Sequence, residues 1–133
     1  MTRSRTLSFS VKRKTGEAFD AILNAPSKMI PDAKKTKDGW WNFTSPRGPA
    51  KLKFNENKQL GILDYLYVDS ESKWNVPMRV IPNGDESEII ITLIKPDSIT
   101  DEQFNERMDE IGKAFESLKE LIETPSELFQ KSK

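Results

Sequence analysis

Apolar and polar residues alternate along much of this chain in short runs, and turn-forming residues separate the runs. Leu7, Phe9 and Val11 alternate with Ser8, Ser10 and Lys12, which predicts a half-buried first strand. Thr15 stands where a helix N-cap belongs, and Phe19, Ile22 and Leu23 form one helical stripe ending near Asn24. Pro26 and Pro31 bracket Ser27–Ile30, which predicts little more than one helical turn, and Asp32–Asp38 reads as a polar loop. From Gly39 the period becomes two. Trp41 and Phe43 form the first apolar set, followed by Ala50, Leu52 and Phe54, then Leu63, Tyr65 and Tyr67. Trp74, Val76, Met78 and Val80 come next, and Ile89, Ile91 and Leu93 end the series.

The turns between these runs predict registers that can be checked against one another. A type I′ loop at Asn83-Gly84 pairs Pro82 with Asp85, so Met78 faces Ile89, Val76 faces Ile91 and Trp74 faces Leu93. Pairing Asp69 with Ser72 sets Tyr67 opposite Trp74, Tyr65 opposite Val76 and Leu63 opposite Met78. Pairing Asn55 with Leu60 sets Leu52 opposite Leu63, and pairing Ser45 with Ala50 sets Phe43 opposite Leu52. All of these hairpins send the apolar sets to one face, an agreement that a slip of one residue would destroy.

The surface able to cover that face is a long helix, Asp101–Glu123, opened by a Thr100/Gln103 capping box. Phe104, Met108, Ile111, Phe115, Leu118 and Ile122 form its apolar stripe, while Glu102, Glu106, Asp109, Lys113, Glu116 and Glu120 occupy other faces. At about 1.5 Å per residue the helix is roughly 34 Å long, comparable to a ten-residue strand at about 3.3 Å per residue, so one helix can span the sheet. Gly112 interrupts the helix, a residue expected to allow close approach to the sheet or to leave room for a ligand. Pro125 ends the helix. The expected organisation is a single domain over residues 1–125 with a flexible tail, 126–133.

A strand, two short helices, a run of antiparallel strands and a long C-terminal helix form the helix-grip order, and the chain resembles the SRPBCC superfamily of Bet v 1-like and START-like domains. It looks most like small polyketide cyclase/dehydrase-like proteins. The resemblance rests on Gly39-Trp40-Trp41, Gly48-Pro49-Ala50, Leu60–Tyr65, Val76–Asp85 and the helix ending Leu118–Glu123. It implies an α+β fold, with a curved antiparallel sheet of about six strands wrapped around the C-terminal helix. It also implies an apolar ligand carried between sheet and helix, with cyclisation or related reactions in a minority of members. Six strands rather than seven imply a smaller cavity.

Composition narrows the chemistry further. Cysteine and histidine are both absent, which removes disulfides, thiolate catalysis, Ser-His-Asp and Cys-His arrangements, and the commonest metal ligands. Phosphate-loop, dinucleotide and EF-hand spacings are also missing, so neither a cofactor nor a metal is expected. No apolar run is long enough to span a bilayer and the start lacks a signal-like apolar region, so a cytoplasmic protein is expected. Net charge is zero, yet residues 1–60 hold 13 Lys/Arg against 5 Asp/Glu, and residues 61–133 hold 8 against 16. The two halves are expected to neutralise each other across the fold. Lys12-Arg13-Lys14 and Lys34-Lys35 lack interleaved aromatics, so nucleic acid is not an expected partner.

Three groups of residues are candidate sites. Trp41, Phe43, Tyr65, Tyr67, Trp74, Met78, Phe104, Met108 and Phe115 would line a cavity between sheet and helix, unless they simply fill the core. Tyr65 and Tyr67 stand out because a buried hydroxyl needs a partner. Asp64 and Arg79 fall on neighbouring strands, where they could act as a base and an anion-stabilising partner. By alternation they belong to the opposite face, which favours a structural ion pair unless a bulge at Pro77 turns one inward. Trp40, Ile62, Leu66, Val68, Ile90 and Ile94 give that outer face an apolar character suited to a partner or a homodimer. The leading expectation is non-covalent binding of a small apolar ligand, lipid-like or polyketide-like. A cyclase or isomerase using Asp64 or a cavity tyrosine is the alternative, and an outer-face interaction module is a third.

Overall fold

The computed structural model describes residues 3–124. One antiparallel sheet contains β1 (Ser4–Val11), β2 (Lys34–Lys35), β3 (Trp40–Ser45), β4 (Gly48–Asn57), β5 (Ile62–Val68), β6 (Lys73–Val76), β7 (Met78–Asn83) and β8 (Glu86–Ile94). Its order is β1-β8-β7-β5-β4-β3-β2, with β6 also paired to β5. Helices α1 (Thr15–Leu23) and α2 (Ala25–Met29) follow β1, and α3 (Asp101–Glu123) closes the described chain. The fold is α+β, and among the described residues no helix is long and apolar enough to cross a membrane.

The strand count exceeds six for two local reasons. Lys34 and Lys35, expected in a loop, pair with Asn42 and Trp41 as a short edge strand. Pro77 divides one expected strand into β6 and β7, because proline has no N–H for the ladder. Both pieces keep one register on β5, with Tyr65 opposite Val76 and Ile62 opposite Arg79.

The hairpin registers behave in an instructive way. Tyr67 opposite Trp74 and Tyr65 opposite Val76 are as expected. Elsewhere the pairs differ: Met78 faces Ile91, Leu52 faces Tyr67, and Phe43 faces Ala50. Each difference is an even number of residues, so every apolar set keeps its face. The turns moved because β3 and β4 are joined tightly, with Ser45 opposite Gly48. Similarly, β4 runs on to a 3-10 turn at Lys58–Leu60, and Asn83 pairs with Glu86. Gly61 leaves that 3-10 turn at φ 69°, and its carbonyl accepts a 2.9 Å hydrogen bond from the Val80 N–H.

Two helix starts also differ from expectation. Thr15 is the first residue of α1 rather than its cap, and the extended Lys14 supplies the carbonyl for the Ala18 N–H at 2.9 Å. Helix α2 begins at Ala25 instead of Ser27, because a proline in the first turn forfeits no intrahelical hydrogen bond. The Thr100/Gln103 capping box is present on α3 with both reciprocal bonds. Gly112 is not a close-approach glycine, since a Cβ there would meet nothing within 4 Å. The expected tail, 126–133, and the helix stop at Pro125 lie outside the described residues.

The core is unevenly covered, and this positions the site. Phe19 and Ile22 of α1 are buried together with Val80, Ile89, Ile91, Leu118 and Ile122 in one apolar cluster. Helix α1 packs on α3, β7 and β8, which closes that half of the sheet. Over β3–β6 the described helix that faces the apolar side is α3, and there a void remains.

Candidate functional site

A cavity of about 240 Å³ lies between the sheet and α3. Its sheet wall is Phe43 of β3, Leu52 of β4, Tyr65 and Tyr67 of β5, Trp74 and Val76 of β6, and Leu93 of β8. Arg107, Glu110, Ile111 and Ala114 form the wall from α3, and Arg47 enters from the β3–β4 turn. The aromatic rings brace one another: Phe43 and Tyr67 are 6.2 Å apart between centroids, and Phe54 meets Tyr65 edge-on at 5.9 Å. Trp74 stacks on Phe104 at 6.0 Å.

Of the nine candidate lining residues, Phe43, Tyr65, Tyr67 and Trp74 face this cavity. Met78, Phe104 and Met108 are buried in the apolar cluster. Trp41 is buried near the sheet edge with the Lys35 ammonium 5.8 Å from its ring centre, and Phe115 packs on Phe9 at 6.0 Å. Met78 lies on β7, on which α1 packs, whereas the four cavity residues lie on β3, β5 and β6 opposite α3.

The cavity has an apolar interior and one charged end. The Asp69 carboxylate there has no exposed side-chain surface, and its Oδ2 accepts bonds from Arg107 at 2.8 Å, the Tyr67 hydroxyl at 2.9 Å and Arg47 at 3.2 Å. Its Oδ1 accepts from the backbone N–H groups of Glu71 and Ser72 at 2.9 Å and from the Ser72 hydroxyl at 3.1 Å. Burial works to raise this carboxyl, but the bonds from Arg107, the Glu71 N–H and Tyr67 outweigh it and hold it well below the usual carboxylate range. Arg107 also reaches Glu71 at 3.1 Å and Ser72 at 3.3 Å, and the Trp74 indole donates to the Ser72 hydroxyl at 2.7 Å. Arg47 grips Glu110 through two bonds of 3.2 and 3.0 Å, tying the β3–β4 turn to α3 beside the cavity.

The two tyrosines differ in role. Tyr67 is part of the charged network. Tyr65 lines the apolar part of the cavity and its hydroxyl makes no hydrogen bond to any described residue. Burial, with a smaller contribution from Tyr67, pushes its pKa well above the ordinary phenol value, so it keeps its proton. No side-chain polar atom among the described residues is both buried and unpartnered, which means the Tyr65 oxygen opens onto the cavity.

Sequence reasoning missed Arg47, Arg107, Glu110 and the role of Asp69. A signal existed for Arg107: it falls three residues after Phe104 and four before Ile111, within the apolar stripe. Asp64 and Arg79 form an ion pair on the outward face, and Asp64 also accepts from the Met78 N–H at 3.0 Å. Pro77 turns neither of them into the cavity. The outer-face residues Ile62, Arg79 and Ile90 stand in one cross-strand row, and Trp40, Lys53 and Leu66 in another, so cations divide the apolar positions. Of that set only Ile94, 45% accessible, is strongly exposed.

This arrangement, a sheet gripping one long helix around a cavity, is the helix-grip fold of the Bet v 1-like proteins. Solved structures agree. An uncharacterized protein from Bacillus thuringiensis shares 14% identity, covers 91% of this chain and 96% of its own, and superposes with a TM-score of 0.68. Norcoclaurine synthase from Thalictrum flavum, in complex with dopamine and hydroxybenzaldehyde, shares 12% identity over 92% of this chain and 87% of its own, with a TM-score of 0.66. CalU16 from Micromonospora echinospora shares 14% over 92% and 73%, with a TM-score of 0.62. At these identities the likeness is one of fold. No protein-family model matches the sequence, and no curated protein matches it.

Proposed function

We propose that this protein binds a small, mostly apolar ring compound in the cavity beneath α3, without covalent chemistry. The observation that carries this reading is the Tyr65 hydroxyl, protonated, facing the void and lacking a partner among the described residues. A ligand carbonyl, hydroxyl or ring nitrogen would accept its hydrogen bond, while Leu52, Trp74, Val76 and Leu93 surround the apolar remainder. Size narrows the class. A cavity of about 240 Å³ suits a compound the size of one substituted ring. The fold neighbour crystallised with dopamine and hydroxybenzaldehyde holds molecules of this size, which supports the choice.

The second reading is a cyclase- or isomerase-type enzyme, and the same tyrosine favours it. With its proton retained, Tyr65 would act as hydrogen-bond donor to a carbonyl whose negative charge grows in the transition state. Asp64, paired with Arg79 on the outer face, has no part in that scheme.

Ligand-observed NMR with a panel of single-ring phenols and aldehydes, 4-hydroxybenzaldehyde among them, tests the site. Wild-type protein should show saturable binding, Tyr65→Phe should weaken it roughly fivefold (about 1 kcal/mol for one hydrogen bond), and Ala114→Trp should abolish it by filling the helix-side wall. Equal binding by wild type and Ala114→Trp would place the probes elsewhere. Native mass spectrometry of the protein purified from its own organism then identifies the natural ligand.

A further inference from the structure

The basic and acidic halves of the chain neutralise each other only in part. Arg47 meets Asp69, Glu71 and Glu110, and Lys58 meets Asp20, but the lysines on the outward face of β2–β6 form no ion pair with any described residue. Alternation identifies them: Lys34 pairs with Asn42, Lys51 with Val68, Lys53 with Leu66 and Lys73 with Val68, all positions turned away from α3. The row Lys34, Asn42, Lys51, Val68, Lys73 crosses five strands, so its lysines recur at every second strand, about 9.6 Å apart. Trp40 stands beside it, with the Lys51 ammonium 4.5 Å and the Lys53 ammonium 5.8 Å from its ring. The carboxylates bordering this face have partners of their own: Asp32 accepts from the Thr44 N–H, Asp64 from Arg79, and Asp38 from the Thr36 hydroxyl while also meeting the charge of Lys53 without closing an ion pair.

We propose that this outward face binds single-stranded nucleic acid, with the four lysines on phosphates and Trp40 as a stacking platform. Charge complementarity requires a polyanion. The aromatic ring among the cations suits exposed bases, which a duplex would not present. Asn42, Thr44 and Asn75, exposed between the lysines, add hydrogen-bonding groups for bases and sugars. A bilayer fits less well, because Leu66 and Val68 are half-buried between lysines and do not protrude to insert. A folded acidic partner would find no continuous apolar centre. The linear sequence hides this surface, since Trp40, Lys51 and Lys53 are brought together only by strand pairing.

Fluorescence anisotropy with a labelled oligothymidine of about twelve nucleotides, titrated across about 20–200 mM salt, reads the proposal directly. Four phosphate contacts predict a slope of log K against log salt near −2.8, from about −0.7 per contact on a single strand. Lys51→Gln combined with Lys53→Gln should halve that slope and weaken binding at least tenfold at about 50 mM salt. Trp40→Leu should weaken binding about tenfold and leave the slope unchanged. Lys14→Gln, away from this face, should change neither. Thermal melts of the lysine variants should match wild type, so their effect does not depend on the fate of the Trp40 variant. Absent binding at about 20 mM salt, or a slope indifferent to the double substitution, would overturn the proposal. So would protein that sediments with vesicles of about 30% phosphatidylserine while leaving the oligonucleotide free.

Discussion

At the scale of single residues, Asp69 organises the molecule's charged end. Its carboxylate is enclosed by donors from a turn, a strand and a helix, so its charge is stabilising only while those partners remain. Asp69→Asn should cost about 2–3 kcal/mol, because Arg107, itself almost fully buried, would lose the buried one of its two carboxylate partners and keep only the more exposed Glu71. Urea denaturation at neutral pH would read this as a lower midpoint with an unchanged slope. The pH dependence has a definite sign. The folded carboxyl lies below its unfolded value of about 3.9, so the unfolded chain binds the extra proton first. The contribution of Asp69 is therefore complete above about pH 5 and declines as pH falls toward the depressed folded value. Wild-type stability should drop between about pH 5 and pH 3 more steeply than that of Asp69→Asn. Equal slopes would sink this account of the cluster.

At the scale of elements, two glycines that look alike in sequence have opposite physics. Gly61 sits at φ 69° and a Cβ there would lie 2.4 Å from the Val80 carbonyl oxygen. Gly61→Ala should destabilise the protein by about 2–4 kcal/mol through the strained backbone and the clash with β7. Gly112 lies in an ordinary stretch of α3, facing open space. Gly112→Ala should therefore stabilise by about 0.5–1 kcal/mol, measured as a raised urea midpoint. The hairpins carry the same lesson about local and non-local information. Burial selects the face of each strand, so Leu52, Tyr65, Trp74 and Ile91 were legible. Turn geometry selects the register, and the turns after Ser45, Asn55 and Pro82 closed at neighbouring positions that sequence signals did not distinguish. Shifts of two and four residues leave the pleat in phase, which is why the core survived them.

At the scale of the whole molecule, α3 ties the charged end to the apolar cluster: Arg107 and Glu110 reach the cavity while Met108 and Leu118 reach the core. Unfolding should then be one cooperative transition, with tryptophan fluorescence and far-UV circular dichroism coinciding in urea. Separate transitions would show that the half holding the cavity opens independently. The half-molecule lacking α1 is also where a ligand at a hundredfold excess over its Kd would add about 2.7 kcal/mol of stability.

The sequence by itself determined the pattern of faces, the long capped helix and the helix-grip order, because periodicity and capping are local properties written in neighbouring residues. It also placed Asp64 and Arg79 outside, and their ion pair lies there. Only the tertiary structure decided which aromatic residues line a void and which are sealed, since that depends on which strands the helices pack against. It likewise assembled Arg47, Asp69, Arg107 and Glu110 from three separate segments, and gathered Lys51 and Lys53 around Trp40. Such clusters arise from chain crossing at long sequence separation, where no periodicity carries the signal.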